Sequence, residues 1–437
     1  MKRDEARAGQ IEPTAAACGA IEGRYRRGTA ISAALMTRAA ASMPGGNTRT
    51  TSFHPPYPVV FERGEGAWLW DVEEQRYVDL FCNGLSLIHG SNYPPVRDAI
   101  ELALRRGTAW SGASREQIAY AEHLQARLKP AQLVRFTNSG SEAGMLAVKA
   151  ARHVTGRPLI VKASGAYHGS YPDLEAGLYG QGDIDGRAMV ARFNDLASFE
   201  AAMKRHAGQV AAVVIEPVLV TGRVVAPADR FLNELEKLAR RHGALVILDD
   251  CLMLRLAPGG SSEYFGLEPD LLVLGKFIGG GTPMGALTGA AEVMRIFDPT
   301  QPRAMFHGGS FNGNLIGCVA GHAALKDLDS QRIATMDAHS DRIRTALAEE
   351  ARALGIGVTV TGVGSVTGIA FDADPDRHED DPSRIGLAAL FHLACLNERI
   401  LIGPGGIIAL STSHDAAAVS FAIEGLRTAL QSVAQLA

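Results

Sequence analysis

The chain has 437 residues, and at roughly 150 residues per domain that suggests two or three structural units. Its 43 basic residues stand against 47 acidic ones, a formal charge of -4. That balance gives no footprint for a polyanion, so no nucleic-acid partner is expected. With 46% hydrophobic and 21% charged residues, the composition is that of a globular protein and not of a disordered one.

Five cysteines (Cys18, Cys82, Cys251, Cys318 and Cys395) are scattered without a CxxC pair. An odd, dispersed set argues against a disulfide framework or a zinc ribbon, and a reducing, cytoplasmic location is expected. Near the start, Glu and Arg interrupt IEPTAAACGAIEGRYRRG, leaving no apolar stretch long enough for a signal-peptide core. The longest apolar runs, such as residues 210–220 with Glu216 inside, fall short of the about 20 residues a bilayer span needs. No membrane partner is expected. The absence of HExxH and of any clustered His/Cys set predicts no catalytic metal.

Residues 1–30 are rich in Ala, Arg and Glu and lack sustained apolar periodicity. They read as a frayed arm or as a helix that needs a partner. From Pro58, PVVFERGEGAWLWDVEEQRYVDLF alternates β-prone runs with turn sequence at 64–66 and 73–75, which predicts an antiparallel meander. Residues 1–80 are thus expected to form an arm and meander that pack with a small C-terminal domain.

Between residues 81 and 325 the rhythm becomes αβ. LVRFTN (133–138), PLIVKA (158–163), VAAVVIEPV (210–218), ALVILDD (244–250) and LLVLGK (271–276) are short, nearly continuous apolar runs. Helical stretches such as SEAGMLAVKAARHVTG and FLNELEKLARRHG intervene. Strands without alternation are buried on both faces, so the expected large domain is an α/β unit with a mainly parallel sheet covered by helices. Residues 326–437 combine amphipathic helical sequence with β-prone VTVTG, SVTGIAF and LIGPGGIIALS, a smaller α+β domain.

In open α/β sheets ligands sit at the carboxyl ends of the strands. LVRFTN runs into Ser139-Gly140-Ser141-Glu142 and a helix, PLIVKA into a loop with Tyr167-His168-Gly169, and VAAVVI into Glu216. ALVIL delivers Asp249-Asp250, and LLVLG delivers Lys276 before a glycine-rich loop. The SGS turn offers unpaired N–H groups and the positive end of a helix dipole, an anion seat, although Ser before a helix with Glu three residues on is also a simple cap. Tyr167 offers an aromatic face and His168 a hydrogen bond, unless the pair is a surface turn. Asp249, after five apolar residues, needs a positive or donor partner: a protonated pyridine nitrogen, or in a structural reading Arg255. Lys276, desolvated at its strand end, is a competent amine for a carbonyl; exposed, it is merely surface charge.

Together these are what pyridoxal phosphate requires: an anion seat, an aromatic platform, a carboxylate for the ring nitrogen and a lysine for the aldehyde. GKFIGGG lacks P-loop order, and GVGSVTG has the wrong spacing for a dinucleotide fingerprint.

From about Met43 to Leu410 the motifs MPGGNTRT, GEGAWLWD, RYVDL, FTNSGSEA, GAYHG, VVIEPV, LDD, LAPGG, LGKFIGGGTPMGA and HGGSFNGN follow in order. In these the sequence resembles the class III, fold-type I aminotransferases. It is most similar to the branch holding glutamate-1-semialdehyde aminomutase and the β-amino-acid (β-phenylalanine-type) transaminases. The resemblance implies that Lys276 takes the cofactor covalently and then shuttles the proton, and that Asp249 holds the pyridine N–H. It implies that Gly140 and Ser141 bind phosphate, that Tyr167 stacks on the ring, and that His168 and Glu216 belong to the cofactor's shell. By the same resemblance, Gly309 and Ser310 reach the phosphate from a second subunit, making a homodimer with shared sites. Arg49 sits where the β-amino-acid branch binds a carboxylate; in its own right it is also an ordinary loop arginine.

The chain departs from that family at Asp250-Cys251, where Glu-Val is usual, and at Gly405, where relatives carry a mobile arginine. The expected function is transfer of an amino group between a β-amino acid or related amine and a keto acid. The alternatives are an aminomutase on the same scaffold and a non-catalytic binding protein that keeps the fold.

Overall fold

The computed structural model describes residues 15–178, 186–221, 223–371 and 382–435; the first part of the expected N-terminal arm and the side chain of Cys18 lie outside that description. The sequence read as a meander forms strands β1 (Phe61–Glu65), β2 (Trp68–Asp71) and β3 (Arg76–Asp79), paired antiparallel. Between β2 and β3 the turn is held by Asp71, whose Oδ1 accepts from the backbone N–H of Glu73 at 3.0 Å and of Gln75 at 2.7 Å. A short carboxylate that bonds its own following backbone makes such a reversal cheap.

The large sheet has seven strands: β4 (Leu133–Thr137), β5 (Leu159–Ala163), β6 (Ala188–Ala191), β7 (Val210–Ile215), β8 (Leu245–Asp249), β9 (Leu271–Leu274) and β10 (Gly285–Gly289). Their spatial order is β4-β10-β9-β8-β7-β5-β6. Neighbours are parallel except β10, which runs antiparallel to both β4 and β9. All residues of β5, β7, β9 and β10 are buried, because helices cover both faces. Val213 and Ile215 of β7 join Leu235 and Leu238 of the helix Phe231–Arg241. Ala212 and Val214 face the other way, toward Ala147 and Ala151 of the helix Gly140–Thr155. This is the mainly parallel α/β sheet expected from the unbroken apolar runs, with one antiparallel strand set into it.

Beyond it lie β11 (Thr359–Val363), β12 (Val366–Ala370), β13 (Ile400–Leu401) and β14 (Ile407–Ala409). Strands β11, β12 and β14 form an antiparallel sheet, while β13 pairs parallel with β3 and extends the ribbon to four strands. N- and C-terminal segments also share an apolar cluster containing Tyr25, Tyr77, Val78, Leu393 and Leu426. Residues Ala15–Gly28 are helical, the second of the two readings of this stretch. Their partner is the end of the helix Pro382–Asn397: Arg24 pairs with Glu398 at 2.5 Å, and Asn397 Nδ2 donates to Ile21 O at 3.0 Å. No helix among the described residues is long and apolar enough to cross a membrane.

Candidate active site

The carboxyl ends of β4, β5, β7, β8 and β9 open onto one cavity of about 480 Å³. Into it project Gly140, Ser141, Tyr167, His168, Glu216, Asp249 and Lys276, each from the strand end or following loop that the sequence marked. Arg49 lines the opposite side. Eight of the ten expected site residues are thereby together.

At the anion seat, the cap and the seat coexist. Ser139 Oγ accepts from Glu142 N at 3.1 Å, and Glu142 Oε2 reaches back to Asn138 N at 2.8 Å, a reciprocal cap of the helix Gly140–Thr155. The N–H groups of Gly140 and Ser141, in its first turn, have no intrahelical acceptor and stand at the cavity. A Cβ on Gly140 would lie 2.7 Å from Cys251 Sγ, and one on Gly169 2.5 Å from Ser141 Cα. Only glycine lets these loops touch and leaves the seat open to an anion.

Asp249 ends β8 with its carboxylate buried, 7% exposed. Its Oδ2 faces His168 Nδ1 at 2.8 Å, and its Oδ1 accepts from Cys251 N at 3.1 Å. Burial alone would raise this carboxyl; the hydrogen bond and attraction of His168, with the help of Cys251, outweigh it and hold the group below its usual range. Since a carboxylate only accepts, His168 carries its proton on Nδ1. Burial lowers the His168 pKa while the contact with Asp249 raises it, and its buried Nε2 has no partner among the described residues. Arg255, the rival partner for Asp249, donates instead to Leu410 O.

Burial, followed by the nearby charge of Asp249, pushes Glu216 up to about 8. Its Oε2 accepts from Val220 N at 3.3 Å, and Oε1 is buried without a partner among the described residues. At neutral pH Glu216 therefore holds a proton. Lys162, fully buried on β5, bonds Ala166 O at 2.9 Å and Ala176 O at 2.6 Å, and so ties down the residue before Tyr167. Burial lowers its ammonium to about 8.

Lys276 follows Gly275 with φ at 54°, left-handed and half-buried. A Cβ on Gly275 would stand 3.0 Å from both Cys251 Sγ and Gly140 Cα. The departure at Cys251 is therefore a wedge between the anion seat and the lysine turn. The other half of that departure, Asp250, is absent from the cavity lining: its Oδ2 accepts from Ser261 N at 3.0 Å, and burial pushes it up to about 7.

Two expected residues stand apart. Gly309 and Ser310 do not line this cavity; they lie exposed between Phe306 and Phe311, which are 84% and 61% exposed. Gly405 is exposed too, and a Cβ there would meet nothing within 4 Å. The sequence reading missed Asn83 and Ser86, which enter from the turn after β3. The signal was available as an Asn-Gly pair directly after a strand, a turn dipeptide.

Residues 51–173 and 185–407 match the family model of class-III aminotransferases. The chain belongs to that family. It is 36% identical over 415 residues to a glutamate-1-semialdehyde 2,1-aminomutase of Myxococcus xanthus, covering 90% of this chain and 94% of that one. It is 34% identical over 407 residues to a β-phenylalanine transaminase of Variovorax paradoxus, covering 90% and 91%. A transaminase solved with pyridoxal phosphate bound superimposes with a TM-score of 0.88 at 32% identity, covering 93% of this chain and 98% of its own. Class-III aminotransferases are fold-type I enzymes dependent on pyridoxal phosphate, and the cavity of this one fits that cofactor. It offers an ionised carboxylate, an open helix N-terminus, and buried polar atoms on His168 and Glu216 that lack partners among the described residues.

Proposed function

We propose that this class-III aminotransferase transfers an amino group between a β-amino acid, or a related amine, and a keto acid. The observation that carries the substrate class is Arg49, whose guanidinium lines the same cavity as Lys276 and is suited to a carboxylate by its fork of donors. The relative named for β-phenylalanine supports this reading.

When bound, the cofactor supplies an aldehyde for the amino group and a ring that draws electrons from the substrate carbon. Lys276 Nζ would hold it covalently and, once displaced by the incoming amine, would take a proton from the substrate carbon and return it. Asp249, ionised, would keep a proton on the pyridine nitrogen, and His168 keeps Asp249 ionised and oriented. Glu216, protonated, donates a hydrogen bond from its otherwise unpartnered carboxyl oxygen. Gly140 and Ser141 would hold the phosphate through their N–H groups and the helix dipole, and Tyr167 would offer its aromatic face to the ring. Gly309 and Ser310 complete the phosphate site of a second subunit in a homodimer; the exposed Phe306 and Phe311 beside them are apolar surface of the kind such an interface covers.

With Gly405 in that loop, Arg49 is the one guanidinium lining the cavity among the described residues, so pyruvate is used at least as well as 2-oxoglutarate. The test is a panel of amines mixed with the holoenzyme in the absence of acceptor, followed by the loss of the cofactor's visible absorbance. β-Amino acids should react fastest, and a protein that reacts only with α-amino acids would sink the assignment. The similarity to the aminomutase of Myxococcus xanthus supports a second reading, in which amino and carbonyl positions exchange on one molecule. Turnover of an amino aldehyde with no keto acid added would select it.

A further inference from the structure

We propose that Asn83 is a positioning residue that sets carboxylate selectivity, by fixing the guanidinium of Arg49 while leaving its charge uncancelled. The inference rests on the reading of Arg49 given above and deepens it.

Arg49 is held first at its backbone. Asn47 Oδ1 accepts from Arg49 N at 2.8 Å, and Asn47 Nδ2 donates to Arg49 O at 2.9 Å. Among the described residues its side chain is held by one hydrogen bond, Nη1 to Asn83 Oδ1 at 2.7 Å. The orientation of that amide follows from donor counting. A guanidinium has only donors, so the amide oxygen must face it. Ser86 confirms the choice from the other end: its hydroxyl gives its single proton to Asn83 O at 2.9 Å and so accepts from Asn83 Nδ2 at 2.9 Å.

The backbone is arranged to the same end. Asn83 stands at φ 50°, ψ 50°, a left-handed conformation that asparagine tolerates better than other residues with a side chain. Gly84 follows at φ 65°, where a Cβ would lie 3.4 Å from Arg49 Nη2. The Asn-Gly turn therefore presents an amide oxygen to the arginine and keeps the space beneath its other nitrogen clear.

The chemistry of the acceptor matters because it is neutral. Arg49 makes no ion pair among the described residues, so its full charge and its remaining donors are left for a ligand. An aspartate in place of Asn83 would offer the same acceptor but would pair with Arg49 and compete with the carboxylate of the substrate. Removal of the amide would instead leave a long, exposed side chain to be ordered at the moment of binding.

The test compares holoenzymes: wild type, Asn83→Asp, Asn83→Gly and Arg49→Ala. Asn83→Gly keeps the left-handed backbone without strain and removes only the amide. Binding of 3-phenylpropanoate, a carboxylate without an amine, is measured by calorimetry. Kinetics give the ratio of kcat/KM for a β-amino acid to that for 1-phenylethylamine, and the visible absorbance of bound cofactor reports folding and loading. Asn83→Asp should weaken 3-phenylpropanoate about tenfold, Asn83→Gly about threefold, and the kinetic ratio should fall in step through KM. Where Asn83→Asp loads no cofactor, Asn83→Gly decides alone. A loss of kcat shared equally by both amines, or unchanged carboxylate affinity in the Asn83 variants beside a large loss in Arg49→Ala, overturns the role of Asn83 and leaves that of Arg49 standing. Unchanged affinity in Arg49→Ala overturns the underlying reading instead.

Discussion

The strand ends and the rim of the cavity differ in how they hold their charges. Asp249, His168 and Glu216 are at most 7% exposed and are carried by a sheet whose central strands are buried on both faces. Arg49 and Asn83 are exposed and stand on turns before β1 and after β3. In the first region burial amplifies every electrostatic contact, moving Glu216 up to about 8 and leaving Asp249 dependent on His168. In the second, water screens each contact and selectivity rests on small energies added to pre-set geometry. The lesson is a division of labour: changes at the strand ends should cost reaction rate, and changes at the rim should cost only discrimination between substrates.

The largest effect should come from Lys276→Ala. Removing the covalent anchor and the proton shuttle together should lower kcat/KM by roughly 10⁴-fold or more. Borohydride reduction of the wild type followed by peptide mapping should place the cofactor on Lys276, and an adduct on Lys162 would move the chemistry to another strand.

Asp249→Asn should still bind the cofactor but react on the order of a hundredfold more slowly, or worse, because an amide cannot stabilise a pyridinium. Single-turnover rates with a β-amino acid measure this. A near-normal rate would make the carboxylate structural and erase the contrast between the two regions.

Arg49→Ala tests the rim. The KM for carboxylated amines should rise by roughly tenfold or more, with kcat within a small factor of wild type in steady-state kinetics. A collapse of kcat would show that the rim takes part in the chemistry.

The smallest effect concerns Asp250, on the same strand end as Asp249 but turned away from the cavity. Its folded value of about 7 lies above the usual 3.8. The stability this group contributes is thus complete below about pH 4 and lost as the pH rises through 7. Between pH 6 and 9 the thermal midpoint of the wild type should fall by roughly 1–2 °C more than that of Asp250→Asn. Equal slopes would show that Asp250 does not titrate there.

Much of the strand-end region was legible in the sequence, for a physical reason. A strand buried on both faces must be apolar throughout, so the polar residue that ends the run announces itself, as Asp249 and Glu216 do. Strand β10 gave no such signal: GALTG reads as loop, yet Gly285 and Gly289 are required where a Cβ would fall 2.1 Å from Ser139 O and 2.2 Å from Asp270 O. Strand β13 is too short to register, and its pairing with β3 joins residues more than three hundred positions apart. At the rim, Arg49 was found through resemblance and not through pattern. Asn83 was missed because its Asn-Gly pair marks only a turn, whereas its hydrogen bond to Arg49, 34 positions away in the chain, is recorded by no local periodicity.

Lys276 occupies a backbone conformation, φ 54°, that an L residue adopts at a cost of about 1 kcal/mol and glycine adopts freely. The fold on its own account would be better served by a different residue there. Lys276→Gly should melt above Lys276→Ala while both are inert, a difference that calorimetry of the cofactor-free proteins can read. A lysine at this turn therefore sets the demand of the site against the comfort of the backbone: the residue the chemistry needs is not the one the turn favours.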